Sequence, residues 1–225
     1  MLYCVKLDMA PIISKLEVQE TLRSRVNDAV RILRDGGVVA IPTDTVYGLA
    51  AAFDDEEAIE RIFRIKGRSA DVAIPLLLDD PRHANRYLST VPDAFPLLAD
   101  AFWPGPLTVI LSKNRDVSAR LTGGRNTIGL RVPDHWVPRQ IAESLGKAIT
   151  GTSANISSTP SLTTAQEVEE QLGKAVDLVV DGGPVKHAIG STVVDISGVQ
   201  PELLREGRIP FSEIKRVLSA EVAVR

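Results

Sequence analysis

The stretch that most constrains this chain is Val38-Val39-Ala40-Ile41-Pro42-Thr43-Asp44-Thr45-Val46-Tyr47-Gly48-Leu49, with Lys66-Gly67-Arg68 a short way downstream. Four apolar, β-prone residues stop at a proline, and hydroxyls and a carboxylate crowd into the next few positions. The pattern predicts a buried strand that delivers a polar loop to a site. The helical pattern that follows ends in two cations. Hydroxyls, a carboxylate and anion-binding charge thus lie within one short segment, which points to a small-molecule site for an anionic substrate.

The chain of 225 residues suits one large α/β unit, or a domain with an appendage. Hydrophobic residues are 44% and charged residues 24%, as in a folded globular protein. A net charge of −3 supplies no general drive toward nucleic acid or an anionic membrane, so any anion has to be held by a local cluster. Cys4 is the sole cysteine, which excludes an intrachain disulfide and a cysteine-based metal cage. Lys6 and Asp8 interrupt what would be a signal core, and the uncharged run from Ala148 to Gln166 is Ser/Thr-rich and broken by Pro160. A cytoplasmic protein with no membrane segment is expected. The chain divides into an N-terminal extension over 1–20, one domain over 21–219 and a tail over 220–225.

Leu22, Val26, Ala29, Val30 and Leu33 recur at helical spacing before Gly36-Gly37. Asp54 with Glu57 reads as a capping box for a second helix, buried through Ile59, Ile62 and Phe63 and ending at Gly67. Strands are expected over 73–78, 107–111, 127–132, 147–150, 176–180, 192–196 and 203–204. Helices are expected over 81–88, 93–102, 141–145, 164–172 and 211–218. The expectation is an α/β fold with a mixed sheet covered by helices on both faces.

No Gly-x-x-x-x-Gly-Lys-Ser/Thr, Gly-x-Gly-x-x-Gly, kinase set or nucleophile elbow occurs, and His83, His135 and His187 lack ligand spacing. Lys66 and Arg68 together suit a polyphosphate, the arginine as a fork and the lysine as a point charge. Two such cations also complement a helix dipole without any ligand, and spacing leaves both readings open. As helix-end cations they are expected to be exposed, so replacing both should spare the fold. Ser153 and Asn155 around Ala154 read as an ordinary turn or a close approach to a ligand. Trp103 and Trp136 read as packing.

The successive motifs Pro42-Thr43-Asp44-Thr45-Val46-Tyr47-Gly48-Leu49, Lys66-Gly67-Arg68, Gly129-Leu130-Arg131-Val132-Pro133, Ser153-Ala154-Asn155, Gly190-Ser191-Thr192-Val193-Val194-Asp195 and Leu204-Arg205-Glu206-Gly207 resemble those of the YrdC-like threonylcarbamoyl-AMP synthases. The resemblance runs from about Arg25 to Leu218. It implies a single-domain twisted open mixed sheet with helices on both faces and a large concave cavity, and a reaction of ATP, L-threonine and bicarbonate, with Mg2+, that yields threonylcarbamoyl-AMP and pyrophosphate. A partner transferase would then modify the tRNA adenosine next to the anticodon. Carried over, it implies that Thr43, Arg131 and Ser191 bind threonine and that Lys66 and Arg68 are the catalytic cations at the triphosphate. Ser153 and Asn155 fall at the nucleotide and metal region and Thr127, Ser161 and Arg205 at or near the nucleotide, with the metal ligands themselves left open. Gly151-Thr152 and Ser69 depart from the family's usual prolines. The chain resembles the short form, without the extra C-terminal domain of some relatives. The competing expectation is a double-stranded RNA or rRNA-binding module on the same scaffold, which the net charge does not favour. A carbamoyl-adenylating relative of hydrogenase maturation would bring a longer, zinc-bearing chain.

Overall fold

The structure, a computed structural model, describes residues 15–186 and 188–220. Cys4, Lys6, Asp8, His187 and most of the expected extension and tail lie outside the described residues. The elements in chain order are α1 (Lys15–Arg34), β1 (Val39–Ile41), β2 (Gly48–Ala50), α2 (Glu56–Lys66), β3 (Leu76–Leu77), a 3-10 helix (Pro81–Tyr87), α3 (Ala94–Phe102) and β4 (Leu107–Ser112). Then follow α4 (Ala119–Thr122), β5 (Thr127–Arg131), α5 (Trp136–Leu145), β6 (Ile149–Thr150), β7 (Thr152–Ser153), α6 (Ala165–Leu172), β8 (Leu178–Val179), β9 (Thr192–Asp195), β10 (Glu202–Arg205) and α7 (Phe211–Ala220).

The strands form the expected mixed α/β architecture, distributed over two sheets. One has the order β7-β2-β1-β8 and the other β10-β9-β4-β5-β3-β6, and each contains parallel and antiparallel pairs. An isolated bridge between Ala52 and Ile149 links the continuation of β2 to β6.

Strand periodicity explains how the layers are filled. Around β1, Val38 and Ala40 enter one hydrophobic cluster with Ile59, Ile62 and Phe63 of α2. Val39 and Ile41 enter the other, with Val26 and Leu33 of α1 and Val137 and Ile141 of α5. Helices therefore cover both sides of the four-stranded sheet. The six-stranded sheet buries Val109, Leu111, Ile128, Leu130 and Val194 in the larger cluster, and turns the alternate residues Thr108, Ile110, Gly129, Arg131 and Val193 toward a cavity.

Most local signals hold up with shifts of one or two residues, but α5 begins at Trp136, five residues before the helix expected from Ile141, and β3 begins three residues after the strand expected from Ala73. Gly36 takes φ +81 after α1, and Gly67 takes φ +56 after α2. The cap of α2 is Asp55, whose side chain accepts from the Ala58 N–H, and not the expected Asp54, which instead pairs with Lys147. Only Asp54 has a glutamate three residues on, at Glu57; Asp55 is followed at that spacing by Ala58, so it supplies the N-cap acceptor without the reciprocal half of a capping box. The boundary expected between residues 20 and 21 falls inside α1, which is continuous from Lys15. Trp103 is packing, as expected, with its indole N–H donating to the Leu107 carbonyl, whereas Trp136 opens α5 and is 42% exposed.

Candidate active site

The cavity, of about 290 Å³, lies over the uncovered face of the six-stranded sheet, and three arginines, Arg68, Arg131 and Arg205, line it. No carboxylate lines it among the described residues. Gly129 is part of its floor: a Cβ there would come within 3.1 Å of both Pro75 Cβ and Thr108 Cγ2, so any side chain would narrow the space between two strands.

The polar loop forms one wall. Thr43 Oγ1 donates to the Val46 carbonyl at 2.6 Å and accepts from the N–H groups of Thr45 and Val46, so this hydroxyl ties the loop to itself. Thr45, not Thr43, lines the cavity. With the loop held in this way, the Asp44 carboxylate and the Thr45 hydroxyl both reach Arg131 at the end of β5. Arg131 is 6% exposed, and donates to Asp44 Oδ1 at 2.5 Å, to Thr45 Oγ1 at 3.1 Å and to the Gly105 carbonyl at 3.0 Å. Burial pulls its guanidinium below the ordinary value, and Asp44 opposes that pull. Three of its five N–H groups are engaged and the rest have no partner among the described residues.

The opposite wall is built on the end of α2. The left-handed Gly67 lets the Gly67 and Arg68 N–H groups close on the Arg64 and Phe63 carbonyls, which ends the helix and turns Arg68 into the cavity. Lys66, in the last turn, is 2% exposed, which corrects its reading as an exposed helix-end cation. Its ammonium donates to the carbonyls of Ser153 at 2.5 Å and Asn155 at 2.8 Å and to Asn155 Oδ1 at 3.3 Å, so all its protons are engaged. Burial, with help from neighbouring Arg68, pushes its pKa down to about 8. Lys66 thereby pins the Ser153-Ala154-Asn155 turn, in which Ser153 Oγ donates to Asn155 Oδ1 at 2.5 Å and Asn155 Nδ2 donates to the Thr159 carbonyl at 2.6 Å. Arg68 donates to Thr152 Oγ1 at 3.2 Å. Its own pKa is lowered by burial and then by Arg205, a repulsion that an anion between them would relieve.

The third side comes from β9 and β10. Ser191 Oγ is 2.8 Å from Thr108 Oγ1, and Arg205 Nη2 donates to the Ser191 hydroxyl at 3.1 Å and to its carbonyl at 2.8 Å. Ser161 lines the cavity from the hydroxyl-rich segment, which folds back as Tyr47 N–H donates to the Leu162 carbonyl and Val185 N–H to the Thr163 carbonyl.

The structure thus brings together Arg68, Arg131, Ser153, Ser161, Ser191 and Arg205, with Lys66 and Asn155 directly behind. Thr127 is not among them. It shares a face with Gly129 and Arg131 but stands about 7 Å beyond Gly129, paired with Ser112. Sequence reasoning missed Asp44, Thr45, Thr108 and Thr152. The first two were legible in the polar loop; the others depend on register, which no local pattern reports. Among the described residues no group of three or more His, Cys, Asp or Glu could hold a metal ion, and no helix is long and apolar enough to cross a membrane.

A family model for Sua5, YciO and YrdC proteins, described as telomere recombination, matches residues 31–207. A threonylcarbamoyl-AMP synthase of Pyrococcus abyssi is 38% identical over 204 residues, covering 90% of this chain and 60% of that protein. Another, of Bacillus subtilis, is 35% identical over 195 residues, covering 86% of this chain and 56% of that protein. The crystal structure of P. abyssi Sua5 complexed with L-threonine matches with a TM-score of 0.83 at 38% identity, over 86% of this chain and 57% of that one. The chain therefore spans 60% or less of the length of these relatives.

Proposed function

Because the chain belongs to the Sua5/YciO/YrdC family, we propose that it is an L-threonylcarbamoyladenylate synthase, a nucleotidyltransferase acting on ATP, L-threonine and bicarbonate. The observation that carries this reading is a cavity lined by three arginines and by hydroxyls, without a carboxylate, in a chain of net charge −3. Such a site suits substrates that bring several negative charges to one place.

Arg131 offers its unengaged N–H groups to the threonine carboxylate, and Ser191 offers a hydroxyl beside it. Arg68 and Arg205 face the polyphosphate, whose charge relieves their mutual repulsion. Lys66 joins them by exchanging one bond to Asn155 for a phosphate oxygen. The threonine amine adds to the bicarbonate carbon, water leaves, and the resulting carbamate oxygen attacks the α-phosphorus as the bond to pyrophosphate breaks. No covalent enzyme nucleophile is needed, so positioning and charge stabilisation supply the catalysis. Thr127, beyond the cavity along the same strand face, is in reach of the nucleotide's far end only.

Of the oxygens here, Ser153 Oγ on the cavity wall is the one that fits magnesium, which commonly completes its shell with water and phosphate oxygens; Asn155 Oδ1 lies behind the wall and accepts from Ser153 Oγ and Lys66. When bound, the ion would offset phosphate charge. The product is a mixed anhydride and so an activated donor of the threonylcarbamoyl group; the transferase that would consume it by modifying tRNA adenosine is the partner implied by the family resemblance. Pyrophosphate release from ATP by the purified protein tests the reading. Release that needs both L-threonine and bicarbonate supports it, and release indifferent to threonine, or none, defeats it.

A further inference from the structure

Asp44 and Arg131 form an unusual ion pair. Their side chains are 8% and 7% exposed, whereas every other ion pair among the described residues keeps at least one side chain about a third or more exposed. Burying two charges is seldom a route to stability, because desolvation offsets the attraction. The pairing is also single-pointed. Oδ1 accepts from Arg131 Nη2, while Oδ2 is buried with no hydrogen-bond partner. An ion pair selected for stability would be expected to satisfy both oxygens.

The remaining contacts explain the arrangement. Gly105 O holds Nε from one loop, while Thr45 Oγ1 at Nη1 and Asp44 Oδ1 at Nη2 both come from the polar loop, so each nitrogen of the planar fork has its own acceptor. Arg131 and Thr45 line the cavity and Asp44 does not. Asp44 is itself secured, since Arg208 Nη1 donates to its carbonyl at 2.8 Å and the Thr43 hydroxyl closes the loop around it. We infer that Asp44 is a positioning residue for amino-acid recognition: from outside the cavity it orients the Arg131 guanidinium so that its unengaged N–H groups meet the substrate carboxylate. The inference rests on the proposed threonine-binding role of Arg131.

The test is D44N, which keeps an oxygen acceptor and removes the charge. Steady-state kinetics and direct threonine binding by calorimetry should show threonine KM and Kd raised on the order of tenfold, the size of a charge-assisted hydrogen bond, with kcat at saturation and the ATP KM near wild type. In an R131K background the same substitution should change threonine affinity little, because the two residues act as one unit. A folded D44N protein with unaltered threonine affinity overturns the inference, as does an effect of equal size with and without R131K. Should D44N not fold, T45V removes the acceptor at Nη1 and should raise threonine KM selectively by a few-fold; an unchanged KM there overturns it too. Wild-type protein that releases pyrophosphate without regard to threonine would instead defeat the functional reading.

Discussion

Lys66 holds its ammonium group where solvent barely reaches, and all its protons are donated to the turn at Ser153 and Asn155. Its pKa of about 8, against an ordinary value of 10.5, has two consequences. The affinity for a non-hydrolysable ATP analogue should fall as pH rises through about 8, and titration calorimetry across pH 7 to ~10 reads this. The second concerns stability: between about 8 and 10.5 the unfolded chain binds the proton more readily than the folded one, so this group makes the fold more stable as pH rises through that window. A K66M variant should lose that slope in urea unfolding series. K66A should also destabilise the protein by about 1–3 kcal/mol by orphaning the Asn155 carbonyl and taking one of two donors from the Ser153 carbonyl, measurable as a shift in the urea midpoint. Unchanged stability would mean that the turn does not depend on Lys66.

At the scale of elements, the helix ends were legible and the strand register was not. Gly36 and Gly67 announce their left-handed caps, and Thr164 with Glu167 forms a complete capping box, because these motifs are local in sequence. β7 and β2 are too short to carry a period, so the turn expected around Ala154 hides a strand, β7, that pairs with β2. The same limit concealed Thr108, whose place beside Ser191 follows from the parallel pairing of β4 and β9. Gly67→Ala tests the α2 end: a Cβ meets no atom within 4 Å, so its cost is conformational, about 1–2 kcal/mol, readable by thermal unfolding. Gly129→Val should act differently, because it crowds Pro75 and Thr108 across the cavity floor. Substrate KM should rise sharply there, and wild-type kinetics in G129V would show that substrates do not use this floor.

On the scale of the whole molecule, two sheets and their helices leave one sheet face uncovered, and the chain gathers cations there while its net charge stays at −3. That distribution favours a small anionic ligand over a long nucleic-acid track. Duplex RNA should accordingly show no saturable binding at moderate salt in a filter or anisotropy assay, and tight binding that ATP leaves unchanged would favour the RNA-binding module. The expected fold, with its concave site, was accessible from sequence because six motifs occur in order; the roles of Asp44 and Thr45 required the distances. The most direct measurement is incorporation of radiolabelled bicarbonate into an adenylate. The account predicts a labelled adduct containing threonine and AMP, formed only when ATP, L-threonine and the protein are all present. Pyrophosphate release without a labelled adduct, or label in a product lacking AMP, would contradict it.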